Sequence, residues 1–353
     1  MTDAPSPRVL VAGETLLDLV ATDGSLATTD GFRARAGGAP ANVAAGLAAL
    51  DEPAWLWTRV GADGFGDRCR RTLADRGVPD RFVEVDSERQ TTVAVAGSPD
   101  DADEPTVDDA TFAFYRDADR YLGVDDAARN PDGDVVDPDA ALATVDVVVV
   151  GGISLAVDPA RSAILDLVDA ARDADCRIVF DPNARPSAWA PGEFQTVVER
   201  VLADADVVKA TPGDLAAAGF DLDAFRDGDA LDVDPADAPE LARQVCEHGP
   251  HTTFLTLGAD GAAAASTHAS PFGRGGATHC GYDVDAVEST GAGDAFLAAV
   301  VAELADGATD PYSVLDVATA TGALATTTPG AIPSMPDRGA VDELVANDDA
   351  GGA

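Results

Sequence analysis

The chain is nearly without lysine. Of its 23 basic residues only Lys209 is a lysine, set against 63 acidic residues and a formal net charge of −40. A Walker-type phosphate loop needs a lysine directly after its glycines, and GxxxxGK[ST] does not occur. With no basic stripe to neutralise a phosphate backbone, nucleic acid is excluded as a partner. Cysteine is sparse: Cys69, Cys176, Cys246 and Cys280 are far apart and form no CxxC pair. Reduced, mostly buried thiols are expected, not a zinc site or a disulfide frame. The histidines, His248, His251, His268 and His279, cluster late without ligand spacing, and neither HExxH nor GxSxG is present. No apolar run reaches 18 residues, and Met1 to Arg8 lacks a signal-peptide pattern, so a soluble, cytoplasmic protein without membrane contact is expected.

What is present is a core of small aliphatic residues. The 353 residues are 46% apolar and 5% aromatic, enough for one large α/β domain or two smaller ones. So high a net charge raises the question of disorder, but apolar runs recur almost from end to end. The acid suits a salt-rich cytoplasm, where screening shortens the reach of carboxylate repulsion, and a halophilic protein is expected.

Val9 to Gly13, Trp55 to Gly61, Val145 to Val150, Arg177 to Phe180, Asp206 to Val208 and Thr252 to Leu257 read as strands. Helical stretches lie between them: Val43 to Leu50, a helix after Gly64, Pro159 to Asp173 and Gly192 to Leu202. This alternation predicts a mostly parallel sheet covered by helices on both faces, a three-layer α/β/α sandwich. Two β-like runs, Thr91 to Ala96 and Thr111 to Arg116, break the rhythm, with an acidic loop between them. They predict a hairpin that, with Leu16 to Val20 and Phe32 to Ala36, builds a small β-sheet lid. One domain over residues 1–346 is expected, with lid strands from about 15–36 and 90–117 and a disordered tail at 347–353. The aspartates of the 97–110 loop and of 221–237 match no EF-hand spacing and read as solvated surface.

The stretch most suggestive of chemistry is Val287-Glu288-Ser289-Thr290-Gly291-Ala292-Gly293-Asp294-Ala295-Phe296, which leads into an apolar helix. The first turn of a helix leaves backbone N–H groups unpaired at a partly positive end, and glycines let an anion come close. Asp294 falls inside that turn; read alone, it is as well explained as a helix-start residue. The dinucleotide fingerprint GxGxxG fails here, because Phe296 takes the place of the third glycine.

Gly37-Gly38-Ala39-Pro40-Ala41-Asn42-Val43-Ala44 through Val60-Gly61-Ala62-Asp63-Gly64-Phe65-Gly66 resembles the N-terminal signature of the PfkB/ribokinase family of carbohydrate kinases. Glu288 to Phe296 is similar to its C-terminal signature. Asp181-Pro182-Asn183-Ala184-Arg185, Thr256-Leu257-Gly258-Ala259-Asp260-Gly261 and Gly330-Ala331 match further elements in the family's order, so the likeness runs from about Val9 to Pro336. The resemblance implies a ribokinase-like fold and phosphoryl transfer from ATP to a sugar hydroxyl. It assigns Asp294 as the catalytic base and the amides of Gly291, Ala292 and Gly293 as an anion hole. Asp18, Gly38, Asn42 and Arg116 would bind the sugar, and Asn183, Thr256, Gly258, Gly261 and Gly330 the nucleotide. Mg2+ would accompany ATP, held mostly by phosphate and water.

Two departures stand out. Thr211-Pro212-Gly213-Asp214 stands where the family usually ends in Glu, so Asp214 is the substitute in the metal and phosphate region. Glu288 stands where Asp is commoner, beside a loop that in many members binds a monovalent cation, which leaves potassium activation open. Phe112 to Asp119 resembles the fructokinase and 2-keto-3-deoxygluconate kinase branches, whereas Gly152-Ile153-Ser154-Leu155 with Pro159 to Ala163, and Asp181 to Pro186 with Trp189, lean towards fructokinase. Fructose is therefore the expected substrate. The alternatives are 2-keto-3-deoxygluconate, ribose or a nucleoside, or a catalytically silent sugar- or nucleotide-binding protein. A homodimer through the lid is compatible with the likeness.

Overall fold

The computed structural model describes residues 6–23, 25–97, 112–124, 128–227 and 230–351. Most of the expected acidic loop, residues 98–110, lies outside the described residues, as do residues 228 and 229 of the second acidic stretch.

The chain begins with β1 (Val9–Ala12), β2 (Leu16–Ala21), β3 (Phe32–Gly37), α1 (Ala39–Ala49), β4 (Trp55–Gly61), α2 (Gly64–Asp75) and β5 (Val83–Asp86). After β6 (Val93–Ala96) and β7 (Phe112–Tyr115), β8 (Val147–Gly151), α3 (Ala160–Asp173), β9 (Arg177–Asp181), α4 (Glu193–Leu202), β10 (Val207–Ala210) and α5 (Pro212–Ala217) alternate as the apolar runs predict. A two-residue ladder, β11 (Arg226–Asp227) with β12 (Ala230–Leu231), precedes α6 (Ala238–Cys246). β13 (Thr252–Thr256), β14 (Ala262–Ser266) and β15 (Gly275–His279) are followed by α7 (Ala292–Ala305), α8 (Pro311–Ala325), α9 (Ala331–Ser334) and α10 (Arg338–Gly351).

Nine strands form the central sheet in the order β15-β14-β13-β10-β9-β8-β1-β4-β5. From β5 to β13 every pairing is parallel, whereas β14 and β15 add an antiparallel edge. β1, β8 and β9 are buried along nearly their whole length, which is why they read as unbroken Val/Ile runs rather than alternating ones. One apolar cluster packs α1, α7 and α8 on one face, and a second packs α3, α4 and α6 on the other. Helix α7 is buried nearly all round (Ala295 through Ala302), so it lies inside the core and not on it.

A separate four-stranded sheet has the order β3-β2-β6-β7. β6 and β7 pair antiparallel, as the interrupted rhythm predicts, and β6 runs parallel to β2. Helix α10 runs from Arg338 to Gly351; Val341 is fully buried and Leu344 and Val345 pack on the core, whereas Ala346, Asn347 and Asp348 are exposed. Gly352 and Ala353 lie outside the described residues. Cys69, Cys176 and Cys246 are buried free thiols, and Cys280 is exposed. No described helix is long and apolar enough to cross a membrane.

Candidate active site

Two helices bring the centre of the site together. α1 starts after Gly38, whose φ of 103° and closeness to the Glu14 carbonyl (an added Cβ would lie 2.5 Å from it) leave no room for a side chain. α7 starts after Gly291, also left-handed at φ 86°, where an added Cβ would meet the Ala331 Cβ at 2.6 Å. Asn42 in the first turns of α1 and Asp294 in the first turn of α7 meet: Asn42 Nδ2 donates to Asp294 Oδ2 at 2.7 Å.

No side chain caps the N-terminus of α7. The Ala292 N–H closes a turn onto the Ser289 carbonyl at 3.1 Å, whereas the amides of Gly293 and Asp294 have no backbone acceptor among the described residues. They remain available to an anion. Of the three amides expected in an anion hole, that of Ala292 is therefore already engaged in a turn, a local closure that motif spacing alone does not reveal.

Burial pushes the Asp294 carboxyl up to about 6, opposed by the Asn42 hydrogen bond and the Lys209 charge. Asp18, on β2, is raised to about 7, chiefly by burial; the nearby Arg35 charge pulls it down, and Asp294 and Glu14 push it up. The site therefore concentrates carboxylates whose affinity for protons lies near neutrality, a property of general bases. Asp181, Asn183 and Asp294 line one cavity with Pro40, Val43 and Gly151.

Lys209 lies directly beneath. Its Nζ is 3.0 Å from Asp181 Oδ2, and an added Cβ on Gly293 would lie 3.1 Å from it. Burial works against its charge, but Asp181, Asp214 and Asp294 outweigh that and hold its pKa above the usual value. Sequence reasoning treats Lys209 only as evidence against a Walker loop; that a chain so rich in arginine keeps one lysine is the signal it leaves unused. Glu14, raised by burial to about 7 and accepting from Ser154 Oγ at 2.5 Å, is a second unanticipated group. Arg35 is a third: its Nη1 reaches both carboxylate oxygens of Glu288 at 3.1 Å.

The other expected residues take varied positions. Asn183 follows β9 with φ 40°, and its N–H donates to Asp181 Oδ1 at 3.0 Å. Thr256, Gly258 and Gly261 form the turn from β13 to β14; Gly258 and Gly261 have φ of 66° and 88°. Gly330 precedes α9 with φ 93°. Arg116 is held by its surroundings: Nε donates to Asp119 Oδ2 at 2.8 Å and Nη1 to the Ile153 carbonyl at 3.0 Å.

Asp214 completes a capping box with Thr211 and also accepts from the Ala184 N–H at 2.7 Å. With Oδ2 taking both the N–H and the hydroxyl of Thr211 at 2.8 Å, little of its accepting capacity is left for a metal. Among the described residues no group of three or more His, Cys, Asp or Glu is placed to hold an ion.

Residues 6–338 match the pfkB family of carbohydrate kinases. The chain belongs to that family. Fructokinase from Klebsiella pneumoniae is 32% identical over 338 residues, covering 93% of this chain and 96% of the relative. Fructokinase from Vibrio alginolyticus is 30% identical over 336 residues, with 93% and 96% coverage. Among solved structures, a Xylella fastidiosa fructokinase with bound ATP superposes with a TM-score of 0.76 at 25% identity, covering 97% of this chain and 98% of that one. A Vibrio cholerae fructokinase bound to fructose, ADP and calcium gives 0.74 at 27%, with 96% and 99% coverage. The fold is thus that of the ribokinase-like sugar kinases, and this pfkB member is a phosphotransferase acting on a sugar.

Proposed function

We propose that the protein phosphorylates fructose at the 6-hydroxyl with ATP, and that Asp294 is the general base. The Asn42–Asp294 hydrogen bond at the uncapped start of α7 carries this reading. It holds a proton-accepting carboxylate beside amides free to receive a phosphoryl group. In the reaction the sugar oxygen gives its proton to Asp294 and bonds to the γ-phosphorus. The bond from that phosphorus to the bridging oxygen breaks, and ADP leaves. A positioned base contributes about 10²–10⁴-fold. Of the amides at 291–293, that of Ala292 stays in its turn, and those of Gly291 and Gly293 offset charge as it spreads over the transferred group, with Gly293 the best placed.

Asp18, Gly38 and Asn42 take the sugar: a carboxylate accepts from paired hydroxyls and a carboxamide both donates and accepts. Arg116 is the further side chain we assign to the sugar: Nε is held by Asp119 and Nη1 by the Ile153 carbonyl, while its buried Nη2, close to Asp119 but making no hydrogen bond, is the donor left for a substrate oxygen. Asn183, Thr256, Gly258, Gly261 and Gly330 frame the nucleotide. Magnesium, when bound with ATP, neutralises phosphate charge. We read Asp214 as acting through Ala184, the neighbour of Asn183, and not as a ligand. Lys209 keeps a fixed positive charge under the same loop. The acidic surface suits a salt-rich cytoplasm, and the small sheet offers a face for a homodimer.

The test is ADP release against a panel of sugars in molar KCl with Mg-ATP, with Asp294→Asn alongside. Fructose should stimulate release most and yield the 6-phosphate. A variant as active as the parent would remove Asp294 from the chemistry, and stimulation by no sugar would remove the kinase reading.

A further inference from the structure

We infer that Arg35 is a positioning residue for phosphoryl transfer, tying the small sheet that carries Asp18 to the loop that carries the anion-binding amides. The inference rests on the sugar-kinase reading and adds a residue that the family motifs do not include. Arg35 sits on β3 directly across from Asp18 on β2. Its Nη1 is 3.1 Å from both oxygens of Glu288, three residues before Gly291, with the two side chains 16% and 21% exposed.

The same guanidinium lies against Gly330. A Cβ added there would come within 2.9 Å of Nη1 and 3.0 Å of Cζ and Nε. The next residue, Ala331, packs against Gly291, where an added Cβ would meet its Cβ at 2.6 Å. One side chain thus touches both supports of the α7 N-terminus, Glu288 in sequence and Gly330-Ala331 in space. Its own strand fixes it opposite the carboxylate assigned to the sugar. If β3 moves, Arg35 must leave Glu288 and Gly330, and the amides lose a support as the sugar loses Asp18. The relative placement of sugar and phosphoryl group is where a small displacement lowers the rate most. The pair is largely buried, so removing Arg35 alone strands the Glu288 charge and costs stability; the Arg35→Ala/Glu288→Gln double variant removes both charges and keeps the assignment testable if the single variant folds poorly.

The test compares Arg35→Ala, Arg35→Lys, Glu288→Gln and the Arg35→Ala/Glu288→Gln double variant in the full chain, at the parent's salt optimum. Arg35→Ala should lower kcat roughly tenfold or more and raise the fructose KM severalfold, leaving the ATP KM within about twofold. Glu288→Gln should do the same, and the double variant should be no worse than either single one, as expected for two halves of one contact. Arg35→Lys should recover part of kcat. Peptides over residues 32–37 should lose more amide-hydrogen protection in Arg35→Ala than the rest of the chain does. Parental kcat in Arg35→Ala, or fully additive losses in the double variant, would overturn the assignment and leave the kinase reading standing. A parent that phosphorylates no sugar would bring down both.

Discussion

Asn42 Nδ2 donates to Asp294 Oδ2 over 2.7 Å, joining two helix starts that are 252 residues apart in the chain. The bond orients a carboxylate that burial pushes up to about 6 from an ordinary 3.8. Asp294→Asn keeps the shape and removes the proton acceptor. Phosphoryl transfer should fall by about 10²–10⁴-fold with little change in nucleotide binding.

The same substitution should stabilise the fold. A carboxyl whose pKa is raised on folding takes up a proton as the chain folds, so its charged form opposes folding above the folded value. From 3.8 to about 6, at about 1.4 kcal/mol per pH unit, that opposition is ~3 kcal/mol. Asp294→Asn should therefore raise the denaturation midpoint at pH 8, and the gain should shrink as pH falls from 6 to 4. An equal gain at pH 4 and pH 8 would show that the buried charge is not its source.

The dependence of activity on pH follows from two carboxylates. In the proposed reaction Asp294, near 6, must be ionised to accept a proton, and Asp18, near 7, must be ionised to accept from sugar hydroxyls. The parent's kcat/KM should fall as pH drops below 7 and fall more steeply below 6. Asp18→Asn should raise the sugar KM and leave one transition near 6. Because the two groups interact, the values belong to the pair; a flat profile from pH 5 to 8 would contradict both roles.

Much of this was legible in the sequence, for identifiable reasons. Strands β1, β8 and β9 are buried on both faces and read as continuous apolar runs, so the parallel sheet could be inferred from pattern alone. The lid strands showed themselves by the missing helix between β6 and β7. The antiparallel edge was harder: β14 is Ala-Ala-Ala-Ala-Ser and β15 is Gly-Gly-Ala-Thr-His, neither of which has strand propensity. Pairing of β14 with β13 and of β15 with β14, not side-chain preference, makes them strands. In the site, the motifs single out Asn42 and Asp294, which the fold brings into contact, whereas Lys209, Glu14 and Arg35 escape a motif reading. Each is held by a partner distant in sequence, Asp181, Ser154 and Glu288 respectively, and pairing over such separations leaves no local pattern.

Gly291 offers a structural test of the anion site. Its φ of 86° and its contact with Ala331 make any Cβ both strained and obstructed. Gly291→Ala should displace the first turn of α7, lower kcat by roughly tenfold or more, and lower the denaturation midpoint, with the backbone strain alone costing about 1 kcal/mol. Gly307→Ala serves as a control at φ 80° with open space around it. It carries similar strain and should leave kcat unchanged.

Monovalent cations separate two readings of Glu288. Its carboxylate is already met by Arg35 at 3.1 Å on both oxygens, so a bound potassium ion would have to share or displace a guanidinium. Activity at constant ionic strength should be the same in KCl and NaCl. Glu288→Asp shortens the reach to Arg35 and should weaken that contact. A strong preference of the parent for potassium would mean that Arg35 leaves Glu288 in the working enzyme.

Bulk salt is a different matter from ion identity. A net charge of −40 on 353 residues means self-repulsion that extends over the screening length, about 10 Å at 0.1 M salt and about 3 Å at 1 M. Clustered surface arginines offset it locally, as where Arg243 pairs with Glu240 and Glu247 at 2.6 Å, but such exposed pairs contribute little. Raising salt from 0.1 to 2 M should therefore raise the denaturation midpoint steadily and protect activity, and KCl and NaCl should do so alike because screening depends on ionic strength. Substituting exposed aspartates far from the site, for example Asp223→Asn with Asp166→Asn on the outer side of α3, should shift the midpoint curve to lower salt without changing kcat at 2 M. A protein equally stable in dilute buffer would show that packing of the two apolar clusters outweighs the repulsion, and would remove the case for adaptation to salt.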